Sequence, residues 1–226
     1  MRDTRGYHHG DLRRALLSAA VQTIEESGPA ALSLRDLARR AGVSHAAPAH
    51  HFGDRAGLFT AIAVQGFDAL ADALTEAGDE LLDLGVAYVE FAVRHRAHFE
   101  VMFHPDLYRA DDSELRAARE RSGAVLRAGL AHRSGGATPA AGTMETAERH
   151  AGHGDRDGRT GRAARSLPSA TRATRPPGDV LAAWSIVHGF ATLWLAGALP
   201  AGLGEDPGDA ARSVIRHLFT PVPGSD

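Results

Sequence analysis

The chain of 226 residues contains no cysteine and no lysine. The lack of cysteine excludes a disulfide framework, a thiolate zinc site and a cysteine nucleophile, and it is typical of a protein that works in the reducing cytoplasm. All 25 basic residues are arginines, set against 28 acidic residues, so the formal net charge is −3. A uniformly basic surface for nucleic acid is therefore excluded, and any DNA contact has to come from a local patch.

Catalytic motifs are also lacking. The sequence has no G-x-S-x-G, no P-loop and no dinucleotide-binding fingerprint, so we expect neither an enzyme nor a bound cofactor. The histidines include adjacent pairs at 8–9 and 50–51, whose side chains diverge by about 100° on a helix and cannot easily share a tetrahedral ion. His95 and His98 are spaced to share one, but no H-E-x-x-H motif accompanies them, and we expect no metal site.

Long apolar runs are scarce. The first ten residues carry charges before any apolar stretch, unlike a secretory signal. Residues 181–199 hold no formal charge, and their number makes a membrane span a candidate. Ser185, His188 and Thr192 interrupt this stretch, and its flanks are acidic instead of arginine-rich. We interpret it as a buried or dimer-interface helix and expect no membrane partner.

Apolar residues recur at helical intervals through most of the chain. In residues 11–26, for example, Leu12, Leu16, Ala20 and Ile24 share one face of a helix. The same spacing predicts further helices over residues 54–74, 81–96, 97–103, 113–132, 180–199 and 209–219. No stretch alternates long enough to form a strand, so the predicted fold class is all-α.

Residues 133–177 break the helical pattern. They hold eight arginines against four acidic residues, and Met144 and Leu167 are almost their only large apolar side chains. No hydrophobic core can be built from such a composition. We interpret this segment as a disordered or irregular insert between two helical blocks, with a recent insertion or an out-of-frame stretch of coding sequence as the alternative.

Three short helices are predicted within residues 11–52. Ser33 begins the second helix with a capping box, since its hydroxyl can accept the N–H of Asp36 while that carboxylate returns a bond. The Ala-Gly-Val-Ser sequence at 41–44 makes a sharp turn, and Ser44 is predicted to cap the third helix. Two helices joined in this way are the layout of a helix-turn-helix, whose second helix can lie in the major groove.

Residues 32–62, with this capped helix, this turn, the His51-Phe52 pair and the Asp54-Arg55 step, resemble the TetR family of one-component transcriptional regulators. The resemblance implies a helix-turn-helix DNA-binding domain over residues 1–55 and a helical regulatory and dimerisation domain over residues 56–226. From the layout and the resemblance together, the residues expected to contact DNA are Ser33, Arg35, Ser44, His45, Ala46, Ala47, His51 and Arg55.

The C-terminal half carries a second resemblance. Trp184, followed by His188-Gly189, is similar to the TetR subgroup whose C-terminal domain has a Trp…His-Gly signature. The resemblance implies a homodimer, joined through the apolar helices at 180–199 and 209–219, that binds a palindromic double-stranded DNA operator and is released by a small-molecule effector, most often as a repressor. The candidate pocket residues, which could equally be ordinary core or buried structural residues, are Phe91, Phe99, Met102, Phe103, Trp184 and His188.

Three positions depart from the family pattern or from helix chemistry. Ala49 stands where the family usually has a phosphate-contacting tyrosine, and Arg55 stands where it usually has lysine. Pro48 cannot donate a hydrogen bond to the Ser44 carbonyl, so the third helix must be short or begin as a 3₁₀ turn. We expect weaker DNA binding than is typical, and the alternative function is an all-α dimeric ligand-binding or scaffold protein with a weakened DNA-binding head.

Overall fold

The computed structural model describes residues 9–136 and 178–219, and the described residues form nine α-helices. The all-α prediction is confirmed for these ranges. The helices are α1 (His9–Ser27), α2 (Leu34–Arg40), α3 (Ala47–Phe52), α4 (Arg55–Ala77), α5 (Leu81–Arg94), α6 (Arg96–Met102), α7 (Ser113–Gly136), α8 (Gly178–Leu195) and α9 (Pro207–Phe219). Single 3₁₀ turns at Pro29–Ala31 and Pro105–Leu107 precede α2 and α7.

The predicted insert at 133–177 falls almost wholly outside the described residues. Its first four residues, 133–136, are described, and they continue α7. That helix was predicted to end at residue 132. The His8 position of the first histidine pair also lies outside the described ranges.

Helices α1, α2 and α3 pack into a small head around one apolar cluster. Leu16 and Ile24 on α1 are almost fully buried, as the helical spacing of the sequence predicts, and they meet Leu37 of α2 and Phe52 of α3 in the same core. Burying one such side chain stabilises the fold by about 1.5–3 kcal/mol. Short helices of six or seven residues are therefore held in place by packing and not by their own length.

Helix α4 leads from the head into the rest of the protein. Its 23 residues span about 35 Å, and it packs against α5, α6 and α7. Among the described helices it is the one long and apolar enough to cross a bilayer by length and composition, and 67% of its most apolar stretch is buried inside the fold. That burial is what a core helix shows.

Helix α5 is the centre of the C-terminal block. It packs against α4 on one side and against α8 and α9 on the other. Leu84, Tyr88 and Val89 on this helix are almost fully buried. Gly85 allows the close approach of α9, because a Cβ atom there would lie 2.8 Å from the terminal methyl of Ile215.

Candidate nucleic-acid interface and effector cavity

The start of α2 is capped as its sequence predicts. Ser33 has an extended backbone, and its hydroxyl accepts a long hydrogen bond of 3.5 Å from the N–H of Asp36. Arg35 lies in the first turn and is exposed, while Asp36 forms an exposed ion pair with Arg39. The first turn of α2 therefore presents N–H groups and one arginine, which suit a phosphate.

The turn between α2 and α3 closes in a Schellman motif. The N–H of Val43 donates to the Ala38 carbonyl at 3.0 Å, and the N–H of Gly42 donates to the Arg39 carbonyl at 3.3 Å. Gly42 has a φ of 65°, a left-handed conformation in which glycine is favoured. This geometry is the physical reason for Ala-Gly-Val in the turn.

The start of α3 differs from the prediction. Ser44 does not cap this helix through its side chain, and the helix begins at Ala47, with Ala46 as an N-cap that makes no side-chain bond. The carbonyl of Ser44 instead accepts the N–H of Ala47 at 3.0 Å, which is a 3₁₀-type bond. Pro48 has no N–H for the regular helical bond, so the shortened, tightened start that the proline predicted is confirmed.

Helix α3 has an inner and an outer face. Pro48 and Phe52 are buried in the head, while Ala49 and His50 are exposed. The guanidinium of Arg13 lies 5.4 Å from the centre of the Phe52 ring and covers it. Among the other predicted DNA-contacting residues, Ser44, His45 and Ala46 are exposed, and Ala47 and His51 are half-buried.

Arg55 has structural partners that the sequence did not predict. Its Nε donates to the Leu32 carbonyl at 3.0 Å and its Nη2 to the Pro29 carbonyl at 2.7 Å, across more than twenty residues of chain. The guanidinium also lies 4.9 Å from the centre of the Phe59 ring. Arg55 therefore fastens the start of α4 to the segment before Ser33, and its contact with DNA stays a prediction.

A cavity of about 500 Å³ lies inside the C-terminal block, between α4, α5, α6, α7 and α8. This volume is in the range of small-molecule sites. Three of the predicted pocket residues, Met102, Phe103 and Trp184, are among its lining. The other lining residues are Phe67, Leu70, Tyr88, Pro105, Tyr108, Arg119, Ser122, Gly123, Leu126, Arg127, Val180 and Leu181.

A second cavity of about 410 Å³ lies on the other side of Phe103, which lines both. Phe99 and His188 line this second cavity, together with polar residues such as Thr192. Phe91 lines neither cavity, because it is 2% exposed in the core and its ring lies 4.9 Å from that of His95. The six predicted pocket residues are thus divided among two cavities and the core.

His188 stands in an aromatic cluster at the wall between the cavities. Its Nδ1 and the Tyr88 hydroxyl are 3.0 Å apart, and its ring centre lies 4.4 to 5.2 Å from those of Phe103, Trp184 and Phe99. Burial lowers the pKa of His188 and raises that of Tyr88. The two side chains therefore form a hydrogen bond between neutral groups at neutral pH.

Tyr108 and Arg119 are the cavity residues with the most polar chemistry, and the sequence analysis missed both. The Tyr108 hydroxyl donates to the Met102 carbonyl at 2.8 Å and accepts a short hydrogen bond from Arg119. One signal was available: Arg119 lies on α7 between Leu115 and Ser122, so it falls on the buried stripe of an amphipathic helix. An arginine at such a position has to find a polar partner or a cavity.

The capped α2, the Schellman turn and the short α3 agree with the families that the chain matches. Residues 16–62 match the model for bacterial regulatory proteins of the tetR family, and residues 81–218 match the model for the tetracyclin repressor-like C-terminal domain. The chain belongs to the TetR family. The Trp…His-Gly subgroup within the TetR family stays a prediction.

Individual TetR-family relatives agree with this result. The chain is 37% identical to the HTH-type transcriptional regulator BetI of Stenotrophomonas maltophilia (strain R551-3) over 75 residues, which are 31% of this chain and 38% of BetI. The matched stretch therefore spans under two fifths of that relative.

Solved structures match over almost the whole length. A protein with unknown function from Rhodococcus sp. RHA1 superposes with a TM-score of 0.65 at 31% identity, covering 95% of this chain and 96% of its own. The TetR family transcriptional regulator PfmR from Thermus thermophilus superposes with a TM-score of 0.56 at 19% identity, covering 90% and 96%. The similarity to PfmR shows a shared fold alone.

Proposed function

We propose that this protein is a transcriptional regulator that binds a palindromic operator as a homodimer, acts as a repressor, and is released by a small-molecule effector. The observation that carries the proposal is the head itself. A capped α2, a Schellman turn and a short α3 place exposed residues of both helices outside a packed core. A helix-turn-helix of this kind docks its second helix in the major groove while the first contacts the backbone.

The charge distribution supports DNA binding by the head. Residues 1–60 hold eight arginines and six acidic residues, whereas residues 61–132 hold seven arginines and thirteen acidic residues. The head is thus the end of the molecule that a phosphate backbone attracts, and the C-terminal block is repelled by it. A regulator that acts on the chromosome works in the cytoplasm of a bacterium, and we place this protein there.

The outer surface of α8 supports a homodimer. Leu181 and Leu193 on this helix are 45% and 47% exposed, although both are large apolar residues. Helices α8 and α9 pack together and against α5, so they present one continuous face. A two-fold pairing of α8 and α9 would form a four-helix interface and cover Leu193. Sedimentation should then show a dimer that Leu193→Arg converts to a monomer.

The decisive experiment is fluorescence anisotropy with labelled duplex from the protein's own upstream region, titrated with salt. We expect a saturable complex that resists random competitor DNA and weakens steeply as salt rises. Arg35→Ala should weaken this complex. Arg116→Ala removes an exposed arginine of α7, outside the head, and is the matched control that should leave the affinity unchanged.

An equal affinity for upstream and random DNA, in a protein shown to be folded and dimeric, would refute the regulator proposal. It would favour the alternative of a ligand-binding scaffold. The exposed alanines of the head, Ala46 and Ala49, are the observation that keeps this alternative worth testing, because they offer no hydrogen-bond donors from their side chains.

A further inference from the structure

We propose that the 500 Å³ cavity binds an apolar molecule with a single anionic group, such as a carboxylate, and that Arg119 binds the anion. This inference deepens the function proposed above, and it rests on that function only in naming the bound molecule as the effector. The binding itself depends on the cavity alone.

Arg119 is held in position by the residues around it. Its guanidinium carbon lies 5.4 Å from the centre of the Phe67 ring and 5.2 Å from that of Tyr108. A second restraint is the hydrogen bond from Nη2 to the Tyr108 hydroxyl. That hydroxyl donates its own hydrogen to the Met102 carbonyl, so its oxygen is free to accept from Arg119. The cation is therefore fixed before any ligand arrives.

The charge of Arg119 has no acidic partner in the described part of the chain. Other arginines nearby are neutralised: Arg127, which also lines the cavity, pairs with Glu120, and Arg121 pairs with Asp68. No carboxylate oxygen of residues 9–136 or 178–219 lies within 4.0 Å of the Arg119 guanidinium. One of its five N–H groups bonds to Tyr108, which leaves the others able to bind an anion.

The rest of the cavity determines what accompanies the anion. Phe67, Leu70, Met102, Phe103 and Trp184 supply apolar walls. No acidic residue is among the described residues that line it, so a ligand cation would meet only like charge. A planar guanidinium beside an apolar chamber is complementary to a molecule with an apolar body and one carboxylate end, which it can bind through charge-assisted hydrogen bonds.

Decanoate, decan-1-ol and decylamine test this inference, because they share one apolar chain and differ in the charge of the head group. Binding to the purified full chain, without DNA, is measured by titration calorimetry below the micelle concentration. We expect decanoate to bind at least about tenfold more tightly than decan-1-ol, because the alcohol cannot make charge-assisted bonds, and decylamine to bind most weakly.

Arg119→Gln should reduce decanoate affinity about tenfold or more and leave decan-1-ol affinity nearly unchanged. Arg116→Gln removes the same charge one turn away on an exposed position of α7 and should change neither. Tyr108→Phe keeps the ring under the guanidinium and removes only the restraint, so it should cause a smaller loss for decanoate. Its folding is checked by thermal melting, as is that of Arg119→Gln.

Decanoate binding no tighter than decan-1-ol or decylamine overturns the inference, as does unchanged decanoate affinity in a folded Arg119→Gln protein. The two proposals fail separately. Charge-selective binding of decanoate by a protein that ignores its upstream DNA would leave the anion site standing and refute the regulator. Specific DNA binding without charge-selective binding of decanoate would do the reverse.

Discussion

Asp54 and Arg109 form an ion pair with 2.8 Å between Oδ2 and Nη2, joining the first turn of α4 to the segment that precedes α7. The other carboxylate oxygen of Asp54 accepts the N–H of Gly57 at 2.8 Å and so caps α4. The N–H of Arg109 donates to the Thr60 hydroxyl at 3.0 Å. One acidic side chain thus begins the long helix and connects the head to the block that contains the cavity.

Two substitutions at Asp54 separate its cap from its ion pair. Asp54→Asn keeps a side-chain oxygen for the Gly57 N–H and removes the charge, whereas Asp54→Ala removes both. The ion pair is exposed, and exposed pairs contribute little to stability. We therefore expect Asp54→Ala to lower the urea midpoint clearly and Asp54→Asn to lower it slightly. Equal losses in the two variants would contradict this and assign the stabilisation to the charge.

Gly57 is required by the approach of α3 to α4. A Cβ atom at this position would overlap the carbonyl oxygen of Phe52, a backbone atom that has no room to move, and would also crowd Arg109. Gly57→Ala should therefore destabilise the protein by about 1–3 kcal/mol, even though alanine favours a helix by about 1 kcal/mol over glycine. Urea unfolding monitored by circular dichroism measures the difference.

The control for this prediction is Gly123→Ala on α7. Its Cβ atom would meet only the end of the flexible Arg127 side chain, at 3.0 Å. Helix propensity should then dominate, and this variant should be neutral or slightly more stable. Stabilisation by Gly57→Ala as well would show that α3 and α4 have room to separate.

Arg35 and Arg55 should respond differently to substitution, although both were predicted to contact DNA. Arg35 is exposed and its side chain makes no hydrogen bond within the described residues, so Arg35→Ala should weaken DNA binding and leave stability nearly unchanged. Arg55→Ala removes the bonds to the Leu32 and Pro29 carbonyls and should lower stability by about 1–3 kcal/mol as well. Urea titration and DNA anisotropy on the same preparations measure both effects.

Arg55→Lys completes this comparison, since lysine keeps the positive charge but cannot reproduce the two-pronged geometry of guanidinium. It should recover part of the DNA affinity and little of the stability. Arg55→Ala with unchanged stability would mean that the two carbonyl bonds are replaced by water at no cost.

Stability should fall on mild acidification because of buried histidines. Burial lowers the pKa values of His95, His98 and His188 from the ordinary value near 6.5. Below that value the unfolded chain binds protons that the folded chain does not, so stability is complete above about pH 7 and declines as pH falls through 6.5. The carboxyl groups with lowered pKa values, Glu26 and Asp54, act only below about pH 4.5.

Urea midpoints at pH 7.5 and 5.5 measure this decline. His188→Gln keeps an acceptor for the Tyr88 hydroxyl and removes one titrating group, so it should reduce the difference between the two midpoints. Equal midpoints at both pH values in the unsubstituted protein would show that these histidines take up protons in the folded state as readily as in the unfolded one.

The head was largely predictable because its signals are local. The Ser33 cap, the Gly42 turn and the effect of Pro48 each depend on residues within five positions of one another, where hydrogen-bond geometry follows directly from residue type. The error at Ser44 had a local cause too. Pro48 left the Ser44 carbonyl without its regular donor, and the 3₁₀-type bond with Ala47 moved the helix start by two residues.

The cavity was less predictable because it is assembled from five helices. The helical spacing of Phe91, Phe99 and Phe103 showed that they face inward, but it could not distinguish packed core from cavity wall. The bonds of Arg55 to carbonyls more than twenty residues away follow from how α4 meets the start of α2. A single sequence contains no record of such tertiary neighbours.

Helix α3 has six residues, and one of them, Pro48, lacks an amide hydrogen. A helix this short does not persist by its own hydrogen bonds, so its shape is held by Pro48 and Phe52 in the core of the head. Its remaining amides therefore have no stability of their own to protect them from solvent. Their hydrogen exchange is governed by the opening of the surrounding core, which makes α3 a reporter of how firmly the head is closed.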